Sequence, residues 1–412
     1  MVNVVREGKT ILLNKDDKKI SIALMSSFVI LTIQYLILIY FNLIESSTGS
    51  NVQLLSKGLV GLAFIYALPA VLRRSKIKFI GVYFTALFIF LINYVIFHDN
   101  RVYIVDLLFP FFFMSLPAFV YTLSIRNFLT FKIIMQKSSY IVFITGLIIG
   151  ALRFDGKASI GSYSMSLSYY MLLPTLVFLD NLLERFSFKN FVFLILSLII
   201  ILTLGSRGAI LCILVFIFLK FFSPHSNKSF TKVIISFSLL AIGIIALIFL
   251  DKIIEFLYNI LLNFGINSRT LSLFLIEGIY LSGRDKIYEN VIAEILQSPI
   301  IGIGIAGDRR IIGGSYVHNL FIELIGNFGI IIGVIISIGL MFLIIKSLFT
   351  KDKEKYDLTI IWLSLGFIHL MVSSSYFNDI KFWIFLGSIV NFIRGNKYNK
   401  GIMNQWRKEG IK

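Results

Sequence analysis

Long apolar runs alternate with short polar segments along almost the whole chain. A helix needs about 20 apolar residues to cross the hydrocarbon core of a bilayer. Runs near that length predict twelve membrane-spanning helices, at residues 21–44, 54–72, 77–97, 102–125, 138–152, 164–183, 190–205, 207–222, 232–250, 319–345, 358–376 and 381–393. No small-residue cleavage pattern follows the first run, so we expect it to remain as a span. The pattern therefore predicts an all-α polytopic membrane protein, with residues 1–412 in a single transmembrane domain.

One segment between the predicted spans is long, at residues 251–317. Its first part predicts an amphipathic helix whose apolar stripe is Ile253, Phe256, Leu257, Ile260, Leu261 and Phe264. A second amphipathic helix begins at the capping-box pair Ser282 and Asp285 and ends at Pro299. A flexible glycine-rich stretch then leads to His318. A segment this long with structure of its own favours a functional role.

The composition excludes a soluble globular protein. Hydrophobic residues make up 57% of the chain and charged residues 15%, against about 45–50% and about 25% in soluble domains. The net charge is +17, but 27 of the 39 Lys and Arg residues fall in segments on one side of the predicted spans. Short loops on the other side hold six. Because basic loops face the cytoplasm, we expect both termini to be cytoplasmic, the long segment to be extracytoplasmic, and no nucleic-acid partner.

The same alternation requires two short helices over residues 190–222, which turn at Gly205-Ser206-Arg207-Gly208. Each helix of about 16 residues is shorter than the hydrocarbon core. Arg207 therefore lies either in a cavity below the outer surface or at the interface with the headgroups. Any one of the other outer arginines alone would be a solvated loop charge. Several of them converging would form a site for pyrophosphate or an acidic sugar, and the candidates are Arg269, Arg284, Arg309 and Arg310.

His318 is the candidate general base, because imidazole titrates near neutrality and a nearby carboxylate or amide could orient it. Its alternative role is that of a helix cap. Asn319 and Glu323 follow on one helical face, and a carboxylate inside a span is costly unless it is paired or used. The same argument applies to the carboxylate of Asp106, which lies one turn inside the fourth span. We interpret His369 as a packed polar residue. Nothing in the sequence resembles a metal site, a Walker loop or a Ser-His-Asp triad, so we expect no metal and no cofactor.

The order of these motifs resembles the shared core of the bacterial O-antigen ligase and Wzy-type polysaccharide polymerase superfamily. The resemblance covers residues 200–335 and rests on Gly205-Ser206-Arg207-Gly208-Ala209, Ser282-Gly283-Arg284, Ser298-Pro299, Gly302-Ile303-Gly304, His318-Asn319, Phe321-Ile322-Glu323 and Gly329. The remaining spans agree in number and orientation. In the ligases a second glycine usually follows Gly329 at a spacing of three, and here it comes one position late, at Gly333.

The resemblance implies a metal-independent glycosyltransferase of the bacterial plasma membrane that acts on glycans linked to undecaprenyl pyrophosphate. It implies that Arg207 and Arg284 contact the pyrophosphate and that His318 accepts the proton of the attacking hydroxyl. From position alone we add a second set of candidate substrate contacts, namely Glu323, Asn319, Arg309, Arg310, Arg269 and Asp106. Membrane lipids, a chain-length regulator and a flippase are the expected partners.

Within this chemistry, the displaced Gly333 and the ordinary frequency of polymerases favour a repeat-unit polymerase over a ligase that transfers glycan to the lipid A core. A flippase for lipid-linked oligosaccharides is the alternative from another class. A transporter should place its polar residues near the membrane midplane, in two related halves. This chain has no evident internal repeat, and its polar groups gather at the outer ends of the spans. We therefore expect an enzyme.

Overall fold

The computed structural model describes residues 2–6, 9–44, 46–154, 165–204, 206–225, 250–263, 265, 275 and 284–408. Two antiparallel strands open the chain, β1 (Val2–Arg6) and β2 (Lys9–Leu13), which the all-α prediction did not include. The helices of the first half are α1 (Lys15–Tyr40), α2 (Ser47–Ile96), α3 (Arg101–Pro110), α4 (Leu116–Leu123), α5 (Phe128–Phe154), α6 (Met165–Glu184), α7 (Phe188–Leu204) and α8 (Arg207–Phe221).

The second half is also helical in its described residues. Its helices are α9 (Leu250–Asn263), α10 (Arg284–Gln297), α11 (Gly307–Ile311), α12 (Leu320–Leu348), α13 (Lys353–Trp362), α14 (His369–Val372) and α15 (Ile380–Lys408). Helices α9 and α10 lie where the long segment predicted amphipathic helices. Glycine-rich residues 302–306 connect α10 to α11.

Seven helical segments among the described residues are long and apolar enough to cross a membrane. Two of the predicted spans, 54–72 and 77–97, correspond to the two helical parts of α2, which a kink at the non-helical residue Ser75 separates. Helices α7 and α8 are the two short apolar helices that the charge alternation requires. The predicted span 232–250 lies almost wholly outside the described residues. The apolar helices make this a membrane protein, while the number of twelve and the orientation remain predictions.

Contacts divide the chain into two compact units, and the prediction of one domain stays a prediction. The first unit comprises Met1–Ser27, Val60–Met135 and Arg284–Lys412. Within it α4 and α13 pack against α15, and α10 packs against α12. The ring of Trp362 is fully buried and stacks on Phe131 with ring centroids 5.7 Å apart. This unit contains the predicted base His318 and three of the predicted arginines, Arg284, Arg309 and Arg310.

A cluster of charged and polar groups ties several segments of the first unit together, and we name it the Asp17 cluster (Asn14, Asp17, Arg74, Ser124 and Arg126). A carboxylate oxygen of Asp17 accepts a hydrogen bond from Arg74 at 2.6 Å and from the backbone N–H of Arg126 at 3.0 Å. Arg74 also donates to Asn14 and to the carbonyl of Ser124. Arg74, whose side chain is buried, thus has three hydrogen bonds and a close carboxylate, and bonding of this kind is the condition for a stable buried charge.

The second unit comprises Phe28–Leu59 and Gln136–Gly283. Within it α6 packs against α7 and α8. The rings of Phe143, Phe178 and Phe193 form a cluster with centroids 4.8 to 5.4 Å apart. Lys220 pairs with the buried Asp180 at 2.5 Å. Aromatic packing therefore joins α5, α6 and α7, and the Lys220–Asp180 ion pair joins α8 to α6.

Candidate active site

The start of α12 fixes the backbone beside the predicted base. The side chain of Asn319 caps the helix by accepting hydrogen bonds from the N–H groups of Phe321 (3.0 Å) and Ile322 (3.2 Å). His318 immediately before the cap has a φ of 58°, in the left-handed region that non-glycine residues rarely adopt. Its ring lies 4.3 Å from the ring of Tyr316. A strained backbone held by a cap and a ring contact is typical of functional positions.

The surroundings of His318 keep its imidazole neutral near pH 7. Burial, the positive charge of Arg284 and the neighbouring His369 together lower the pKa of His318 to about 4. Its Nδ1 atom is buried and has no hydrogen-bond partner among the described residues. We had expected a carboxylate or amide to orient this ring, and the contact observed is the ring of Tyr316. A neutral imidazole with an unused nitrogen can accept a proton.

Arg284 begins α10 and acts electrostatically on two groups of the segment before α12. It lowers the pKa of His318, and it opposes the rise that burial causes in the pKa of Tyr316. Arg284 makes no ion pair within the part of the chain that the structure describes. The structure therefore brings Arg284 and His318 together although 33 residues separate them in the sequence. A guanidinium without a carboxylate partner is free to bind an anion.

Glu323 is buried in the first turn of α12 and is bound to the segment after α14. One carboxylate oxygen accepts a hydrogen bond from the hydroxyl of Ser375, and the other accepts the N–H of Tyr376 at 3.3 Å. Arg309, on α11, donates to the same hydroxyl oxygen at 3.2 Å, while its buried Nε has no partner among the described residues. The predicted residues Glu323 and Arg309 thus meet through Ser375. We name Arg284, Arg309, Tyr316, His318, Glu323 and Ser375 the His318 cluster.

A second carboxylate supports the chain just before His318. Asp308 is buried and accepts the N–H of Val317 at 3.0 Å. Burial raises the pKa of Asp308, and the charge of Arg309 beside it opposes this rise. The hydrogen bond joins α11 to the residue that precedes His318, so it restricts where the imidazole can lie.

A third polar group consists of His369, the first residue of α14, with Asp379 and Lys381. His369 Nδ1 is 2.7 Å from a carboxylate oxygen of Asp379, and Lys381 is 3.3 Å from that same oxygen. Burial alone would raise the pKa of Asp379, but Lys381 and the hydrogen bonds outweigh it and the pKa falls to about 2. This arrangement agrees with the interpretation of His369 as a packed polar residue.

The glycine-rich segment is packed, and the prediction of a flexible stretch is wrong for residues 302–309, which are all buried. Helix α12 breaks at Gly329, where φ is 77° and ψ is 169°. The break frees backbone groups, and the segment binds them. The N–H of Ile303 donates to the carbonyl of Gly326, and the N–H of Ile330 donates to the carbonyl of Pro299, both at 2.8 Å. Pairing of this kind is how an interrupted helix avoids unsatisfied backbone groups.

Close backbone approach explains why the motif needs glycine. A Cβ atom on Gly302 would meet the carbonyl oxygen of Gly326, and one on Gly329 would meet the carbonyl oxygen of Ile300. Both glycines also have positive φ. Asn100 supports the same segment by donating to the carbonyls of Ile303 and Ile305, at 2.8 and 3.1 Å. The motif therefore docks the segment onto the break in α12.

The remaining predicted residues lie in different places. Arg310 is exposed and lies 3.8 Å from Glu294. Asp106 is exposed on α3 and has no hydrogen bond or ion pair within the described residues. Arg269 lies outside the described residues. Arg207 begins α8 in the second unit, where Ser206 caps the helix by accepting the N–H of Ala209 at 3.3 Å. The side chain of Arg207 is not among those described, so its phosphate contact stays a prediction.

Five residues of the site were missed from the sequence, and two of them, Asp308 and Tyr316, lie in the segment before His318. Ser375 and Tyr376 bind Glu323, and Asn327 donates to the hydroxyl oxygen of Tyr376 at 2.8 Å. A signal was present, since Ser373-Ser374-Ser375-Tyr376 is a polar run at the end of an apolar helix, and Asn327 is polar within a span. Neither pattern reveals that 49 to 52 residues of chain return to the same place.

Residues 192–338 match the family model described as O-antigen ligase, Wzy_C. This match includes the whole of residues 200–335 and confirms the resemblance to the O-antigen ligase and Wzy superfamily. The family indicates a glycan-transferring membrane enzyme whose substrates are lipid-linked glycans. Neither a curated protein nor a solved structure gives a significant match to the chain.

Proposed function

We propose that the protein is a polysaccharide repeat-unit polymerase. It transfers a growing glycan from undecaprenyl pyrophosphate to a sugar hydroxyl of a new lipid-linked repeat unit, on the outer face of the plasma membrane. The observation that carries the proposal is the neutral His318 within electrostatic reach of Arg284. These two residues lie in the segment that matches the family.

His318 is the proposed general base. With a pKa of about 4 it is neutral at physiological pH and can accept the proton of the acceptor hydroxyl. The hydroxyl oxygen then bonds to the anomeric carbon of the donor with inversion. The bond from that carbon to the pyrophosphate oxygen breaks, and its electron pair leaves with undecaprenyl pyrophosphate. No metal or cofactor is assigned a step in this mechanism.

Arg284 and Arg207 are the proposed pyrophosphate contacts. Negative charge develops on the pyrophosphate as the glycosidic bond breaks, and a guanidinium placed there stabilises it. The planar fork of arginine also matches two phosphate oxygens at once. Arg284 suits this role because no described carboxylate neutralises it. Arg310, Arg269 and Asp106 remain proposed contacts to the substrate.

Glu323, Arg309 and Asn319 are proposed to act mainly by positioning. Both carboxylate oxygens of Glu323 already accept hydrogen bonds from the 375–376 segment. The amide oxygen of Asn319 already accepts two backbone N–H groups. The acceptor oxygens of Glu323 and Asn319 are therefore engaged in holding the start of α12. The Nε of Arg309, which has no partner among the described residues, can donate to an oxygen of a bound substrate.

The proposed orientation follows from charge. Twelve spans with cytoplasmic termini place the 27 basic residues of the terminal and short-loop segments inside. The His318 cluster then faces the periplasm or the cell exterior, where undecaprenyl-linked repeat units arrive after a flippase has moved them. A chain-length regulator is the other proposed protein partner.

An O-antigen ligase is the second candidate function, because the matching family model bears that description. A ligase would use the same base and the same arginines with a different acceptor, a sugar of the lipid A core. The two functions therefore differ in the acceptor that must be supplied.

A reconstitution separates the two candidates. The purified protein is placed in lipid vesicles with lipid-linked repeat units as the only glycan substrate. A polymerase produces a ladder of longer chains on the carrier. The proposal is wrong if no ladder of longer chains appears on the carrier and glycan is transferred only when lipid A core is added. The protein is then a ligase. The His318→Ala protein, folded and inserted, is the negative control.

A further inference from the structure

The segment between α11 and α12 brings a second aromatic ring against the proposed base. The ring of Tyr316 lies beside the imidazole of His318, with the two ring centroids 4.3 Å apart and the planes tilted by 54°. Val317, between them in the chain, is fully buried, and its backbone N–H donates to the carboxylate of Asp308 at 3.0 Å. The residues on either side of Val317 are only partly buried. The two rings therefore extend from a fixed point of the backbone.

A glycine turn fixes the path of the chain that leads to Tyr316. Gly313 and Gly314, which follow α11, have φ of 69° and 95°, in the left-handed region that favours glycine. The N–H of Gly314 donates to the carbonyl of Arg309 at 2.7 Å. This bond on one side of Tyr316 and the bond from Val317 to Asp308 on the other give the ring a defined place.

The imidazole of His318 needs a contact that sets its orientation. Its Nδ1 has no hydrogen-bond partner in the described part of the chain, so no described carboxylate or amide fixes that nitrogen. A general base works only when its nitrogen is held within hydrogen-bond reach of the proton that it accepts. Because aromatic pairs have preferred geometries, the contact with Tyr316 restricts the rotation of the imidazole.

The phenol of Tyr316 also lies among the charges of the site. Four charged groups from different segments act on it electrostatically, namely Arg284, Arg309, Glu323 and Asp379. Burial is the largest influence and raises the pKa of Tyr316, so the phenol is neutral at physiological pH. A neutral ring in this place separates the imidazole from water without adding a charge beside it.

We propose that Tyr316 is a positioning residue of the transfer reaction, whose ring holds the imidazole of His318 in the orientation that accepts the proton of the acceptor hydroxyl. The inference rests on the proposed function, which makes His318 the base. The contact is between the two rings, so the hydroxyl of Tyr316 is not required for it. Phenylalanine can therefore replace Tyr316, and alanine cannot.

Kinetics with lipid-linked repeat units in vesicles provide the first test. Tyr316→Ala should lower kcat by about 10²-fold, the cost of displacing a reacting group by about 1 Å. KM should change little, because the residues proposed to bind the substrate are all retained. Tyr316→Phe keeps the ring and should restore most of the rate.

The pH profile supplies a readout that a loss of stability alone would not produce. Burial is the largest of the influences that lower the pKa of His318. In Tyr316→Ala water reaches the imidazole, so the acid limb of the residual activity should move to higher pH. Arg284 on α10 and His369 on α14 still act on the imidazole and should keep its pKa below the ordinary value.

Nuclear magnetic resonance tests the ring contact without glycan transfer. The full chain, in detergent, carries carbon-13 at the Cε1 atoms of its four histidines. The signal that is absent from the His318→Ala protein belongs to His318. In Tyr316→Ala this signal should lose the shift caused by the neighbouring ring and should titrate at higher pH. In Tyr316→Phe it should keep both properties.

Tyr40→Ala is the matched control. Tyr40 is 63% exposed and its ring contacts that of Phe41, with centroids 5.0 Å apart, in the other unit of the chain. Its loss should change neither kcat nor the His318 signal. Thermal melting checks the fold of each variant. Tyr316→Leu replaces Tyr316→Ala where the latter melts early, and it should also lower kcat, because an aliphatic side chain does not set the plane of the imidazole.

Three results would overturn the inference: a wild-type kcat in Tyr316→Ala, an unchanged His318 signal in that variant, or a loss of rate in Tyr316→Phe as large as in Tyr316→Ala. The last would assign the role to the hydroxyl. If the His318 signal changes as expected but the wild-type protein transfers no glycan, the proposed function fails and the ring contact stands. Normal elongation by both wild-type and Tyr316→Ala proteins has the reverse meaning.

Discussion

Two buried polar clusters in the first unit differ in how completely their groups are bonded. In the Asp17 cluster, Arg74 and Asp17 satisfy each other and their neighbours through short hydrogen bonds. In the His318 cluster, the Nδ1 of His318 and the Nε of Arg309 are buried without partners among the described residues. Buried polar atoms are normally bonded, and exceptions call for an explanation. The first cluster is built for stability, and the second retains capacity for a ligand.

The largest expected effect separates activity from stability at the His318 cluster. His318→Ala should reduce glycan transfer by about 10²–10⁴-fold, the usual contribution of a general base. Its melting temperature should stay near that of the wild-type protein, because Nδ1 of the ring has no hydrogen bond to any described residue that could be lost. Transfer is measured with lipid-linked repeat units in vesicles. Near-normal transfer by a folded His318→Ala protein would remove the base assignment.

The opposite outcome is expected at the Asp17 cluster. Asp17→Ala removes the carboxylate 2.6 Å from the buried guanidinium of Arg74 and leaves it only that of Asp16, at 3.7 Å, so the change should cost about 3–5 kcal/mol of stability. Activity per folded molecule should be unchanged. Denaturation in detergent measures the stability change. Arg73→Ala is the control, since Arg73 is 65% exposed in its ion pair with Asp16 and such pairs contribute about 0–1 kcal/mol.

A smaller effect tests the geometry of the arginine. Arg284→Lys keeps the charge but loses the planar fork, so transfer should fall by roughly tenfold if two phosphate oxygens are bound at once. The matched control is Arg73→Lys, at an exposed arginine paired with Asp16 outside the proposed site, and it should have little effect. Full activity in Arg284→Lys would show that charge alone is sufficient. Initial rates at saturating donor provide the measurement.

The smallest effect is a shift in pH dependence. Transfer should fall as the pH approaches 4, because His318 becomes protonated and can no longer accept a proton. Arg284→Gln removes a positive charge that lowers the pKa of His318. The acid limb of the pH–activity profile, measured on the remaining activity, should therefore move to higher pH. Arg73→Gln, a change of the same kind outside the proposed site, should leave the limb in place. An acid limb that does not move in Arg284→Gln would contradict the electrostatic coupling of the two residues.

Local patterns predicted the helices well and the tertiary contacts poorly. Apolar runs place a helix at each predicted span that falls in the described residues, because burial in lipid depends on local composition. The spacing of Asn319 and Glu323 also located the start of α12. The β-hairpin was missed, since residues 2–13 are short and mixed in character.

The errors in the site have one physical origin. Gly302 and Gly304 look flexible because glycine has no side chain, yet the segment is held by backbone hydrogen bonds to a break in another helix. The contact of Glu323 with Ser375 is likewise non-local. A single sequence shows which residues can form hydrogen bonds. The tertiary fold, which brings distant segments together, determines which of these bonds form.

The break at Gly329 has a consequence for how the enzyme responds to its membrane. A change in bilayer thickness tilts a spanning helix. In α12 the residues after Gly329 form the long apolar part. Gly326 before the break accepts the N–H of Ile303, and Ile330 just after it donates to the carbonyl of Pro299. Both sides of the break are thus tied to residues 299–303, and tilt of residues 331–348 can be taken up beyond them. The imidazole of His318 should keep its position in bilayers of different thickness.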